Sequence, residues 1–199
     1  MLKIDVLCLG SYQTNCYIVR EKESQSCVVI DPGYAPETIL SHLETEALSL
    51  DAILLTHGHF DHVGGVRTLA AETDCRVYLC EKELSLPAMM TDGPLYYTST
   101  YGEGDTLHLA GLTFRVMETP GHTPGSVCLF TEDAMFSGDT LFAGSCGRVD
   151  FPGSSISDMR TSLARLAAVA DDYRVYPGHS KSSTLAQEKQ SNPYLKGLL

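Results

Sequence analysis

The stretch Thr56-His57-Gly58-His59-Phe60-Asp61-His62 constrains this chain more than any other. It follows the apolar run Ala52 to Leu55 and precedes the glycine pair Gly64-Gly65. Three imidazoles and a carboxylate fall between positions 57 and 62. The zinc-protease pattern sets two His at i and i+4 on one helix face. Here the first two stand at i and i+2, where a helix would point them apart. They must converge from a loop instead, and Gly58 lets that loop bend. Clustered imidazoles repel one another once protonated, so they belong with a metal ion. The competing reading is a His-rich surface loop.

The same punctuation recurs three more times, each a strand followed by a small-residue turn with a metal-type side chain. Leu112–Thr119 leads to Pro120-Gly121-His122, Ala134–Ser137 to Gly138-Asp139, and Arg174–Tyr176 to Pro177-Gly178-His179. Five of the seven histidines fall at such strand ends. Ligands delivered from several strand ends onto one sheet edge are how α/β proteins build sites. Seven ligands exceed one tetrahedral ion, and none of the seven is Cys, as a closed structural zinc site would favour. Five imidazoles and two carboxylates fit two ions with one carboxylate shared. The donor set suits zinc first, with iron or manganese compatible.

Further strands are expected at Leu2–Cys8, Cys16–Arg20, Cys27–Ile30, Cys75–Leu79, Thr106–Leu109 and Ser126–Phe130. Helices are expected from Pro36 with Ile39, Leu40 and Leu43 on its apolar stripe, over Gly65 to Glu72, after Ser155 with Asp158 as a capping pair, and over Thr184–Gln190. Strands and helices in alternation predict two sheets covered by helices. Residues 84–103 lose all periodicity and read as a long apolar loop, a lid over the site or a segment packed on the core. His42 is expected to face solvent, and His108 to point away from the core.

At 199 residues with 43% hydrophobic content, the chain reads as one domain, residues 1–199. The formal net charge of −11 argues against nucleic acid as a partner. No apolar run approaches a membrane span and no signal peptide is apparent, so a cytoplasmic protein is expected. The seven cysteines are odd in number and contain no Cys-x-x-Cys, which fits reduced thiols. The oligomeric state, monomer or homodimer, stays open.

Taken together, Thr-His-Gly-His-Phe-Asp-His, His122, Asp139 and His179 resemble the metallo-β-lactamase superfamily. Gly138-Asp139-Thr140-Leu141-Phe142 and Pro120-Gly121-His122-Thr123-Pro124-Gly125-Ser126 are similar to its glyoxalase II branch. The run Gly144 to Gly153 and the tail Asn192-Pro193-Tyr194-Leu195 look closest to short bacterial type II glyoxalases, which lack a C-terminal helical domain. The match spans roughly Asn15 to Leu195.

That resemblance implies an αβ/βα four-layer sandwich, two mixed β-sheets flanked by helices. It implies His57, His59 and His122 on one divalent ion, Asp61, His62 and His179 on the other, and Asp139 bridging. True β-lactamases of the superfamily lack that bridging Asp, which weakens an antibiotic substrate. It also implies a hydrolase of S-lactoylglutathione-like thioesters, with a hydroxide held between the ions as nucleophile and Asp61 and Asp139 serving catalysis. Arg148 matches a basic position in the family's substrate loop and is the expected contact for the small-molecule thioester; its competing reading is a surface ion pair with Asp150. Two alternatives remain: an iron persulfide dioxygenase with one ion on His57, His59 and Asp139, and a di-iron redox or sensing module. Metal count and identity separate them.

Overall fold

A computed structural model describes residues 1–197. The first half of the chain builds β1 (Leu2–Leu9), β2 (Thr14–Glu21), β3 (Ser26–Ile30), α1 (Pro36–Thr45), β4 (Ser49–Leu54), α2 (Phe60–Val63), α3 (Val66–Thr73) and β5 (Arg76–Cys80). A 3₁₀ turn, Glu81–Ser85, the short α4 (Ala88–Thr91) and β6 (Ser99–Tyr101) follow. The second half builds β7 (Thr106–Leu109), β8 (Leu112–Glu118), β9 (Val127–Thr131), β10 (Ala134–Gly138), a small hairpin of β11 (Leu141–Phe142) and β12 (Ser145–Cys146), α5 (Ile156–Ala167), β13 (Arg174–Pro177), β14 (Ser183–Thr184) and α6 (Leu185–Ser191). Among the described residues these strands form two six-stranded sheets, ordered β1-β2-β3-β4-β5-β6 and β14-β13-β10-β9-β8-β7.

Both sheets are mixed. β1 to β3 pair antiparallel, while β3 to β6 run parallel through helical crossovers. In the second sheet β10 and β13 are parallel across α5, and the other pairs are antiparallel. Successive residues of a strand point to opposite faces, and the central strands are apolar on both. Tyr17, Val19, Val28, Ile30 and Leu54 meet Phe114, Leu129 and Phe136 between the sheets. Their neighbours Ile18, Val29, Ile53 and Val77 pack outward against Ile39 and Leu43 of α1 and Leu69 of α3. On the other side Cys128, Met135 and Val175 pack against Met159, Leu163 and Leu166 of α5. The result is the four-layer αβ/βα sandwich that the resemblance implied.

The expected helices are present, shifted by a residue or two. Ser155 caps α5 by accepting from the Asp158 amide, as expected, and Thr184 caps α6 in the same way from Gln187. Two expectations are corrected. His42 does not face solvent freely: α1 sets its Nε2 3.5 Å from Asp5 Oδ2 of β1. Residues 84–103 are not one loop, because their end adds β6 as an edge strand in parallel register with β5. Tyr101 drives this by burying its ring and donating its hydroxyl to the Leu55 carbonyl. His108 is exposed, as expected. Among the described residues, no helix is long and apolar enough to cross a membrane.

Candidate metal centre

The strand ends carrying the candidate ligands meet along one edge of the sandwich. Parallel pairing sets Gly138 of β10 opposite Pro177 of β13, so Asp139 and His179 emerge side by side. The Gly178 amide donates to the Gly138 carbonyl at 2.8 Å. A Cβ on Gly178 would lie 2.2 Å from Asp139 Oδ1 and 2.6 Å from His62 Cε1, so only glycine lets these side chains through. The two sheets are stitched at the same edge. Asn15 donates its backbone amide to the Gly178 carbonyl at 2.7 Å, and Val127 donates to the Thr56 carbonyl at 2.9 Å. His57 and His59 lie in the bend after β4, while His62 rides the single turn α2.

All seven predicted ligands come together. His57, His59 and His122 form one group, and Asp61, His62 and His179 a second, each with ligand atoms within 4.8 Å of one another. His122 Nε2 stands 2.9 Å from His59 Nδ1. His62 Nε2 and His179 Nε2 are 3.4 Å apart, and His179 Nε2 is 3.2 Å from Asp61 Oδ2. Asp139 touches both groups: its Oδ2 lies 3.4 Å from His122 Nε2 and 3.5 Å from His179 Nε2, and its Oδ1 3.5 Å from His62 Nε2. Ligands about 2.0–2.1 Å from a tetrahedral ion would be roughly 3.3–3.4 Å apart. The observed spacings are of that size.

Hydrogen bonding on the far side of each ring fixes which nitrogen faces inward. The carbonyls of Arg148 and Tyr12 can only accept, so His122 and His179 donate Nδ1–H to them, at 2.9 and 3.1 Å. His62 Nδ1 lies 3.0 Å from Asp31 Oδ2. Thr56 donates its hydroxyl to Asp31 Oδ2 at 2.6 Å, which leaves Thr56 Oγ1 free to accept Nδ1–H of His57 at 3.1 Å. In the neutral form of all four rings Nε2 is therefore the lone pair, the form a cation requires. His57 Nε2, His59 Nε2 and Asp139 Oδ1 are buried with no hydrogen-bond partner among the described residues. Buried polar atoms left unpaired beside these clustered imidazoles fit a bound cation.

The electrostatics agree. Burial, reinforced by the neighbouring His62 and His59, pushes His57 well below its ordinary value. Burial and His122 push His59 down to about 4. Both are neutral near pH 7, the state in which imidazole binds metal. Burial would also lower His62, but Asp139, Asp31 and Asp61 outweigh it and hold this ring up to about 9. Burial would raise Asp61, yet His179 and His62 keep it well below the usual carboxylate range. The carboxylates thus create a demand for positive charge.

A family model of the metallo-beta-lactamase superfamily matches residues 9–179. The chain belongs to that superfamily. Within it, the hydroxyacylglutathione hydrolase GloC of Haemophilus influenzae is 32% identical, with 98% of each chain covered. The crystal structure of BLEG-1, a B3 metallo-beta-lactamase, superposes with a TM-score of 0.88 at 34% identity, over 99% of this chain and 100% of that one. TTHA1623, solved in a di-iron-bound form, superposes at 0.82 with 39% identity, over 96% of this chain and 100% of that one.

In this member of the superfamily the centre opens into a cleft of about 510 Å³ walled by Tyr12, Phe60, Met90, Phe142 and Phe151. Met90 comes from the 84–98 lobe, which therefore contributes one wall of the site. Arg148 also lines the cleft, but its Nε and Nη2 pair bidentately with Asp150 at 2.9 and 2.8 Å, and its guanidinium lies over the Phe151 ring. The ion-pair reading of Arg148 is thus realised beside its place in the cleft. Cys146 is half-buried, and burial pushes its thiol up to about 11, so it is no thiolate nucleophile. Sequence reasoning missed Asp31, which sits at the end of β3 and accepts from Thr56 and His62. The signal is there: Asp31-Pro32-Gly33 repeats the pattern of a strand end followed by a small-residue turn.

Proposed function

We propose that this chain is a dinuclear metal-dependent hydrolase of thioesters, of the hydroxyacylglutathione hydrolase type. The observation that carries it is the Asp139 carboxylate set between two imidazole groups. His57, His59 and His122 would hold one divalent ion, Asp61, His62 and His179 the other, and Asp139 both. Two ions there would lower the pKa of a shared water and polarise a carbonyl oxygen. Zinc is the proposed metal, and the likeness to TTHA1623 in its di-iron form makes iron the second choice.

The chain's own residues do the rest. Asp61 stays ionised and accepts from Thr14 Oγ1 at 3.2 Å, which steadies it to accept a hydrogen bond from the attacking water. The apolar wall of Phe60, Met90, Phe142 and Phe151 orients the substrate and limits competing water. A thiol with a pKa near about 8.5 leaves as thiolate. No general acid is then needed, which favours thioesters over amides. The relative named hydroxyacylglutathione hydrolase supports S-lactoylglutathione as the model substrate. Seven free cysteines accord with a cytoplasmic enzyme. Metal analysis of untagged protein, followed by a panel of thioesters, tests the reading. Two ions per chain and thioester turnover are expected; one iron per chain with oxygen-dependent activity on a persulfide would replace it.

Arg148 is the proposed contact for a substrate carboxylate. A guanidinium holds a carboxylate bidentately, and Asp150 occupies that fork in the free protein, so substrate must compete with it. Arg148→Ala is expected to raise KM for S-lactoylglutathione roughly tenfold, with kcat within a few-fold. A small neutral thioester should barely respond. Steady-state kinetics on both substrates decide it: equal losses would make Arg148 a structural partner of Asp150 only.

A further inference from the structure

We propose that Glu83 is a positioning residue, a clamp that holds the two ligand-bearing loops of the first metal group in register. The inference rests on the metal reading of His57, His59 and His122. Glu83 lies in the 3₁₀ turn after β5, in the stretch Cys80-Glu81-Lys82-Glu83, and is fully buried. Its Oε2 accepts from the Gly58 amide and its Oε1 from the Gly125 amide, at 2.5 and 2.6 Å. Gly58 stands between His57 and His59. Gly125 stands three residues after His122, in the loop joining β8 to β9. One carboxylate thus bridges the two loops that must converge for these three imidazoles to face one point.

Both glycines are shaped to this contact. A Cβ on Gly58 would lie 3.0 Å from Glu83 Oε2, and one on Gly125 would lie 2.8 Å from Glu83 Oε1 and 2.8 Å from the Glu83 amide nitrogen. A side chain at Gly125 would displace the carboxylate or the turn that carries it. The geometry also separates Glu83 from the chemistry. Both oxygens are occupied by backbone donors, and the side chain lines no part of the cleft that holds the candidate ligands. It therefore acts through the loops and not on substrate. The second group, Asp61, His62 and His179, is held by other means: Asp31 on His62, the Tyr12 carbonyl on His179 and Thr14 on Asp61. A defect at Glu83 should consequently fall on one ion of the two.

Glu83→Gln keeps the volume but turns one acceptor oxygen into an amide donor, which must face the N–H of Gly58 or Gly125. The parent, Glu83→Gln and Glu83→Ala are loaded with zinc, titrated with a chelator, and analysed for ions per chain. Melting of the metal-free proteins and amide hydrogen exchange at Gly58 and Gly125 are measured alongside. Two ions in the parent check the metal reading itself. The variants are expected to keep one ion with near-parental affinity and to bind the other about 10–100-fold more weakly, the range for groups that orient ligands. Gly58 and Gly125 should lose exchange protection while far-UV dichroism is unchanged. Should both variants fail to fold, Gly125→Ala, which pushes the carboxylate aside, is expected to produce the same selective loss. Equal affinity for both ions in the parent and Glu83→Gln overturns the clamp and leaves the metal reading intact. Equal weakening of both ions overturns it too, since that is general loosening.

Discussion

Asp139→Ala is expected to abolish the paired metal centre, with metal content falling towards zero after dialysis and turnover falling at least about 100-fold, beyond the usual effect of an outer-shell change. Its two oxygens reach His122, His179 and His62 within 3.5 Å, so both imidazole groups face the same carboxylate. Two divalent ions a few ångströms apart repel, and a shared anion is what offsets that repulsion. Without it the five clustered imidazoles would have to hold two dications with only Asp61 and the more distant Asp31 as negative charge. Asp61→Ala should be milder, because the imidazoles Asp61 approaches among the described residues, His62 and His179 at 3.7 and 3.2 Å, belong to one group. The ordering is the test. Elemental analysis showing equal metal in Asp139→Ala and the parent, or a larger loss in Asp61→Ala, would remove Asp139 from its bridging place.

The residues that could be read from the sequence share one property: their signal is local. His57, His59, Asp61 and His62 announce themselves by spacing, and Pro-Gly-His or Gly-Asp after an apolar run marks a strand end with something to deliver. The central strands were legible as apolar runs because both their faces are buried. What stayed hidden depends on distant chain segments meeting. Asp31 lies 25 residues from Thr56 and 31 from His62, and its role exists only once β3 and β4 pair in parallel. Glu83 looks like one more polar residue of a surface turn, and only the arrival of the Gly58 and Gly125 loops turns it into a buried bridge. Residues 84–103 misled for a related reason. Tyr101 carries no period of its own and forms an edge strand because β5 is there to pair with it. Arg148 shows the limit of matching one charged residue to a substrate, since its nearest carboxylate is Asp150, two positions away.

Asp31→Asn should damage the centre without touching a ligand. Asp31 is 1% exposed and accepts three hydrogen bonds: from the Thr56 amide at 2.8 Å, from the Thr56 hydroxyl at 2.6 Å and from His62 Nδ1 at 3.0 Å. A carboxylate can accept all three, and an asparagine cannot, because half of its head group is a donor. If the amide NH₂ takes the Oδ2 place, it faces both the Thr56 hydroxyl and His62 Nδ1, so Nδ1 must become the acceptor and the ring proton moves to Nε2. That is the atom facing Asp61 and Asp139, and a protonated nitrogen cannot bind a cation. The Thr56 hydroxyl must reverse with it, so His57 Nδ1 faces a donor and meets the same fate; in the other rotamer the NH₂ takes the Oδ1 place, faces the Thr56 backbone amide and leaves both rings as they were. The first rotamer spoils one imidazole in each group, and the second leaves the buried Thr56 amide without an acceptor. In the first rotamer metal affinity is expected to fall about 10–100-fold. Leaving one buried donor unmatched costs about 1–3 kcal/mol, or a melting point lower by roughly 2–12 °C for a chain of this size. Asp31→Ala should be worse for stability, since the Thr56 amide then has no acceptor. Zinc titration of the variant and calorimetry of its metal-free form read the two effects separately. Parental zinc affinity with a lowered melting point would place the NH₂ against the Thr56 amide, whereas parental values of both would show that the tautomers of His57 and His62 are set by the ions and not by this carboxylate.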